Sequence, residues 1–296
     1  MLIKNTLVQK TLFVDTQILI YAFEKCEPVW VEFIESRLSS GYRLVLSEDI
    51  LYEFGQSRTL DAALNLTRCV VEREPLWIRS FADLEVDEVC RFVRTTTTID
   101  IAPVTVFSEN FSDVSQLTER RQLNPEEFVR SAFDPKFREG YLKLANNHAH
   151  VLNELSKAIS RGQLTKELND QALRVKLRAL LSLGSDLASP FYGSELDDAT
   201  KYCFKHHRQL MRNCSAYATE CHLSDYRTSS PKRLARVSDS RDLMIATAAF
   251  PNVTSFATND GYLYGALSYV KKKLSYMTTE LIRHPGEPLI VTSAIA

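Results

Sequence analysis

Two acids stand where the chain leaves apolar runs that read as buried strands. Leu12-Phe13-Val14 runs into Asp15, and Val253 to Ala257 runs into Thr258-Asn259-Asp260-Gly261. A third acid, Glu53, lies in the stretch Glu48 to Ser57, whose spacing predicts a helix. Its neighbours Glu48 and Asp49 fall in the first turn, where acids stabilise the helix dipole and so already have a structural role. Glu53 has no such role. Carboxylates gathered without cations repel and push one another's pKa upward. A divalent ion removes that penalty, and Mg²⁺ and Mn²⁺ take hard oxygen ligands. Hydrolysis of a phosphodiester calls for what such an ion supplies: charge neutralised on the nonbridging oxygens, and an attacking water made more acidic. The plain alternatives are structural. Asp15 would cap the turn that follows it, and Asp260, next to Gly261, would form an ordinary turn.

The elements that must position these acids alternate. Thr11 to Val14 reads as a strand, and Ile18 to Phe23 carries apolar positions at helical spacing. After a turn at Gly41, Tyr42 to Leu46 reads as strand and Glu48 to Ser57 as helix, with Ser47 as N-cap. Near the C-terminus, Asp239 to Ala249 is predicted helical, Pro251-Asn252 a turn, Val253 to Ala257 a strand and Leu289 to Thr292 a last short strand. Apolar, non-alternating strands separated by helices predict an α/β fold with a parallel sheet covered on both faces. Ligands of such sheets bind beyond the carboxyl ends of the strands, the edge where Asp15 and Asp260 fall.

From about Asn124 to Cys221 the chain changes character. Glu126–Phe133, Phe137–Gly162, Thr165–Leu183 and Asp197–Glu220 each read as helix, with Leu173, Leu177, Leu180 and Leu181 on one apolar face. The simplest organisation is a mostly helical subdomain inserted in the α/β unit. Residues 1–100 then form the N-terminal part of that unit, 101–234 the insertion and 235–296 the C-terminal part.

With 45% hydrophobic and 25% charged residues in 296, the composition is that of a globular chain able to bury a core. Nine Gly and ten Pro are few, which favours helices over a loop-rich β fold. Six cysteines without a C-x-x-C pair read as reduced thiols, and the expected location is cytoplasmic. No stretch reaches the ~20 apolar residues of a membrane span, so no membrane partner is expected. The net charge of −1 is unevenly spread: −5 over residues 1–100, −2 over 101–200 and +6 over 201–296. An acidic first third joined to a basic last third suits a carboxylate site beside a phosphate-binding surface.

Four blocks resemble the PIN-domain nuclease family. Leu12-Phe13-Val14-Asp15-Thr16 looks like its opening strand, which ends in an aspartate followed by a small hydroxyl residue. Leu46 to Phe54 resembles its second unit, whose helix carries a glutamate about two turns in, here Glu53. Arg241-Asp242-Leu243-Met244-Ile245-Ala246-Thr247-Ala248-Ala249 is similar to a block in which an aspartate opens a helix rich in small residues. Ser255 to Asp260 is similar to the strand leading into Thr-Asn-Asp. The likeness covers roughly residues 10–60 and 235–265. It implies a PIN-like three-layer α/β/α domain interrupted by the helical insertion. It also implies a divalent-metal-dependent endoribonuclease that cuts single-stranded or structured RNA to leave a 3′ hydroxyl. The implied ligands of Mg²⁺ or Mn²⁺, and catalytic residues, are Asp15, Glu53, Asp242 and Asp260. The family admits toxins, defence effectors and processing enzymes, tRNA among substrates, an antitoxin or regulatory protein as partner, and homodimers.

The structural alternative for Asp242 is an acid at a helix N-terminus, and Asp239, three residues earlier, is expected to cap. Thr16, Ser47, Thr258 and Asn259 are candidate donors that would orient the carboxylates. Lys201, Lys205, Arg208 and Arg212 would form one basic helix stripe, joined by Lys232, Arg233, Arg236 and Lys271 to Lys273 as phosphate contacts, with Tyr202, Phe204, Tyr217 and Tyr226 for stacking. Cys203, His206, His207, Cys214, Cys221 and His222 are too irregularly spaced to favour zinc. Two rivals to the nuclease remain. One is a catalytically inactive scaffold that binds RNA or protein. The other is a haloacid-dehalogenase-type phosphatase, which wants an Asp two residues after the first and meets Gln17 instead. No G-x-x-x-x-G-K-[ST] loop exists for a kinase or ATPase.

Overall fold

Successive strand residues face opposite sides of a sheet, so an unbroken buried run means that both faces are covered. In the computed structural model β1 (Lys10–Val14) is buried from Thr11 onward, and β2 (Tyr42–Leu46) from Leu44. β3 (Leu76–Ile78) and β5 (Ser255–Ala257) are buried throughout. With β4 (Phe107–Ser108) and β6 (Glu280–Ile282) they form a six-stranded sheet ordered β4-β3-β2-β1-β5-β6. All neighbours are parallel except β3 and β4, which run antiparallel. The structure describes residues 9–56, 59–95, 106–114, 124–163, 165–184, 189–229 and 234–284.

The chain runs outward from β1 through β2, β3 and β4, then returns to the other side of β1 as β5 and β6. The order therefore reverses at the β1–β5 seam, where a parallel sheet opens a crevice at its carboxyl edge. Phe13 and Phe256, paired in register across that seam, stack with centroids 4.8 Å apart.

Local signals start most helices. Asp15 caps α1 (Thr16–Phe23), and Ser47 caps α3 (Glu48–Phe54) by accepting from the Ile50 N–H at 3.4 Å. Gly41 takes φ +83° in the turn between α2 (Pro28–Ser39) and β2, a backbone state open to glycine at little cost. Thr59 caps α4 (Leu60–Val71) and Ser80 caps α5 (Phe81–Arg94). Asn124 and Glu127 form a capping box on α6 (Pro125–Ser131), and Asp134 caps α7 (Pro135–Ser160). α8 (Lys166–Leu183) follows, capped by Thr165.

Beyond α8 the single helix expected over Asp197–Glu220 is three: α9 (Gly193–Lys205), α10 (His207–Asn213) and α11 (Ser215–Ser229). His206 and Cys214 leave helical geometry at the two breaks. α12 (Val237–Ala249) begins two residues before the expected start, and α13 (Gly261–Lys273) closes the described helices. The short strand expected at Leu289 to Thr292 lies outside the described residues.

One apolar core surrounds the sheet and includes Phe128, Val129, Phe137 and Leu152 of the helical segment. That segment packs directly on the α/β unit: α7 against α12, and α11 against α12 and α13. A second core joins Val86, Val89 and Cys90 of α5 to Leu177 and Leu181 of α8, Cys203 of α9 and Tyr217 of α11. Among the described residues no helix is long and apolar enough to cross a membrane, and none of the six cysteines is in a disulfide.

Candidate active site

The β1–β5 register aligns Val14 with Ala257, and the Asp15 N–H extends the ladder by donating to the Ala257 carbonyl at 3.0 Å. This sets Asp15 beside Thr258. The buried Thr258 hydroxyl donates to Asp15 Oδ2 at 2.6 Å, while Oδ1 accepts from the Gln17 N–H at 2.6 Å and caps α1. The capping role expected as an alternative is therefore real, yet each carboxylate oxygen keeps a further lone pair. Asp260 caps α13 through the Leu263 N–H at 2.7 Å, and its own N–H donates to Thr258 Oγ1 at 3.1 Å. Thr258 thus ties the two strand-end acids together. Asp260 is exposed at the mouth of the crevice.

Glu53 reaches the same crevice from α3, half-buried. The Thr16 hydroxyl donates to Glu53 Oε2, and Arg241 of α12 lies 3.2 Å from Oε1. Arg241 also donates to the Asp49 carbonyl at 3.0 Å and sits 4.6 Å from the centre of the Tyr52 ring. Next to Arg241, Asp242 projects into the crevice from the second turn of α12. It is not the helix-opening acid of the expectation, because the helix begins at Val237. Asp239, the third residue of the helix, serves the cap by accepting from the N–H of the N-cap residue Arg236 at 3.0 Å. Among the described residues no hydrogen-bond donor reaches the Asp242 carboxylate.

All four acids line one cavity of about 390 Å³, together with Thr16, Gln56, Ser238 and Arg241. Burial pushes the Asp15 carboxyl up, aided by the charge of Asp260 and opposed by the Thr258 and Gln17 hydrogen bonds. Burial also raises Glu53, against the lowering effect of Arg241 and Thr16. Asp242 is raised well above the ordinary carboxylate range, first by burial and then by the charges of Glu53, Asp15 and Asp260. The donor set is all hard oxygen, and its least satisfied member is walled in by like charge, so the residues fit a divalent cation. Among the described residues no group of three or more His, Cys, Asp or Glu is already arranged to hold an ion.

Of the four expected orienting donors, Thr16 and Thr258 bind candidate acids, whereas Ser47 caps α3. The basic stripe is not one helix face, because the chain breaks at His206 between Lys205 and Arg208. Lys201 is paired with Asp198 at 3.2 Å, and Lys271 donates to the Thr279 carbonyl at 2.7 Å. Lys232 and Arg233 lie outside the described residues. Tyr217 is fully buried and faces His207 Nε2 at 3.2 Å, so it is closed to base stacking. Cys203 packs in the second core, and the ring of His206 lies against Tyr202.

Sequence reasoning missed Arg241 and its support. Asp49, expected to serve the helix dipole, accepts from the Tyr141 hydroxyl of α7 at 3.0 Å, and Tyr141 stacks on Tyr52 at 4.4 Å. The only trace of this in the sequence is that Arg241 adjoins Asp242. Comparison with protein-family models, curated proteins and solved structures found no match for this chain.

Proposed function

We propose that the protein is a divalent-metal-dependent endoribonuclease of the PIN-like type, with Asp15, Glu53, Asp242 and Asp260 supplying oxygen ligands to Mg²⁺ or Mn²⁺. The observation that carries the proposal is Asp242: a half-buried carboxylate in the cavity wall, with no donor among the described residues and three other acids around it. Such a group is stabilised by a cation far more than by anything the protein itself brings to it. RNA as substrate, and the three-layer PIN-like identity of the sheet, rest on the four sequence blocks, whose acids line a single cavity at the switch point of the sheet.

When bound, the ion would neutralise phosphate oxygens and lower the pKa of an attacking water. The protein's own groups prepare the place. Thr258 fixes Asp15 and the turn before Asp260, and Thr16 fixes Glu53. Asp242 leaves its oxygens directed into a space of about 390 Å³, enough to admit a phosphodiester.

The test is cleavage of a panel of defined RNAs, tRNA included, by wild type, Asp15→Asn and Asp242→Asn at matched concentration. Asn keeps the shape and removes the charge, so each variant should lose activity by about 10²-fold or more while remaining folded. EDTA should abolish cleavage, and Mn²⁺ or Mg²⁺ should restore it. Variants that cut as fast as wild type move the activity elsewhere. A wild type that binds Mn²⁺ and cuts nothing favours a scaffold that binds RNA or protein.

A further inference from the structure

Arg241 is a cation built into the wall of a carboxylate cavity. Its side chain is only 7% exposed. On one side it faces Glu53 Oε1 at 3.2 Å, and on the other it donates to the Asp49 carbonyl at 3.0 Å and lies 4.0 Å from the Asp49 carboxylate. The Tyr52 ring lies 4.6 Å from the guanidinium carbon. Asp49 and Tyr52 are themselves fixed by Tyr141 of α7, which hydrogen-bonds the first at 3.0 Å and stacks on the second at 4.4 Å. A guanidinium enclosed in this way cannot swing out to meet a substrate phosphate. Its charge belongs permanently to the cavity.

Building on the proposed metal site, we infer that Arg241 is a positioning residue and internal counter-ion, which holds Glu53 in place and limits the cavity to a single divalent ion. Four ionised carboxylates alone would suit two divalent cations. Arg241 cancels one of those negative charges at a fixed point. An ion ligated by Glu53 Oε1 would lie within about 5 Å of the guanidinium, because Mg²⁺–oxygen contacts are about 2 Å. That position is electrostatically taken. This narrows the proposed ligand set: the single ion is left to Asp15, Asp242 and Asp260, and Glu53 becomes an oriented neighbour rather than a ligand. The inserted helix α7 thereby acts on the site through Tyr141, Asp49 and Arg241.

The experiment is Mn²⁺ titration, by calorimetry and electron paramagnetic resonance, of RNA-free wild type, Arg241→Gln, Arg241→Lys, Glu53→Gln and Asp242→Asn. Wild type should take one ion per chain. Arg241→Gln keeps reach and hydrogen bonding but loses the charge, so it should bind Mn²⁺ at least about tenfold tighter or take a second ion. Arg241→Lys keeps the charge and should stay at one ion, within about threefold of wild-type affinity. Should Arg241→Gln fail to fold, the Glu53→Gln variant decides: its affinity should fall by less than about tenfold, against at least about 100-fold for Asp242→Asn. Two ions in wild type, an unresponsive Arg241→Gln, or equal losses in the last two variants overturns the inference alone. A wild type that binds no Mn²⁺ overturns the proposed function and this inference with it.

Discussion

The Thr258 hydroxyl donates to Asp15 Oδ2 at 2.6 Å across 243 residues of sequence. Thr258 Oγ1 also accepts from the Asp260 N–H, so one buried side chain orients an acid from each end of the chain. Thr258→Val keeps the shape but leaves Asp15 Oδ2 facing an apolar methyl. It should cost about 1–3 kcal/mol in urea denaturation at pH 8, the penalty of an unmet buried acceptor. Mn²⁺-dependent cleavage should fall by about 10–100-fold, the usual effect of losing a group that orients a metal ligand. Thr258→Ser should restore most of both. Wild-type cleavage by the Val variant would show that Asp15 needs no such orientation.

Asp242, Asp15 and Glu53 are all raised above their ordinary pKa values, chiefly by burial. The sign of the consequence follows. Below the unfolded carboxylate pKa both states hold the proton, and the contribution of these groups to stability is fully present. It is lost as pH rises through the folded values, because the unfolded chain gives up the proton more readily. The metal-free protein should therefore weaken from about pH 4.5 toward pH 8 at these sites, by at most about 1.4 kcal/mol per pH unit for each proton involved. Asp242→Asn should remove part of that slope and, in EDTA at pH 8, should melt roughly 2–4 °C above wild type. Mn²⁺ should reverse the order, since it stabilises only the chain that binds it. A lower melting temperature for Asp242→Asn in EDTA would mean that the cavity does not hold Asp242 at an electrostatic cost.

The legible parts of this fold were those set by local pattern. Tyr42 to Leu46 reads as a buried strand and is one, and Ser47 reads as an N-cap and is one. The ends of β1 and β5 delivered Asp15 and Asp260 to one edge because an apolar run followed by an acid carries both pieces of information. What stayed hidden was set by tertiary packing. Phe107–Ser108 and Glu280–Ile282 are strands only because a neighbouring edge accepts them. The breaks at His206 and Cys214 have no Gly or Pro to announce them. Asp49 looked like a dipole acid because its partners Tyr141 and Arg241 lie 92 and 192 residues away. Asp260, by contrast, sits farther out than Glu53, since its cap on α13 holds it at the mouth.

Lys176 joins three helices through charge. From α8 its ammonium contacts Glu220 of α11, stands 3.4 Å from Glu85 of α5 and lies 3.8 Å from Cys221 Sγ. Burial pushes Glu85 up to about 8 despite that partner. Lys176→Met should leave Glu85 without its counter-charge and Glu220 with only His148, 3.7 Å away, and destabilise the protein by about 3–5 kcal/mol in urea. The triple variant Lys176→Met, Glu85→Gln, Glu220→Gln should recover most of the loss, as replacing a whole buried ionic group costs less than breaking it. Equal destabilisation of both variants would assign Lys176 a packing role rather than a charge role.

The cations of α9 and α10 bear on RNA, and their place in the fold alters what they can do. The Tyr276 hydroxyl, just beyond α13, donates to the Met211 carbonyl of α10 at 3.2 Å. Asp260 caps the opposite end of α13, a helix of 13 residues and so about 20 Å long. Lys205 and Arg208 thus lie near the far end of α13, lining a separate cavity of about 470 Å³ with Phe204 and His206. They cannot touch a phosphate that occupies the carboxylate cavity, but a long RNA can reach both. Replacing Lys205, Arg208 and Arg212 with Ala should weaken binding of tRNA-sized RNA. It should also reduce the slope of log affinity against log salt by about 0.7–0.9 for each phosphate the variant no longer neutralises. An oligonucleotide of about three residues, at roughly 3.4 Å per nucleotide, cannot span the distance, and its Mn²⁺-dependent cleavage should be unchanged. The measurements are filter-binding affinity across a salt series and initial cleavage rates on both substrates. An unchanged salt slope reduces these cations to solvated surface. An equal loss on the short substrate would bring them to the scissile phosphate and contradict the geometry that separates the two cavities.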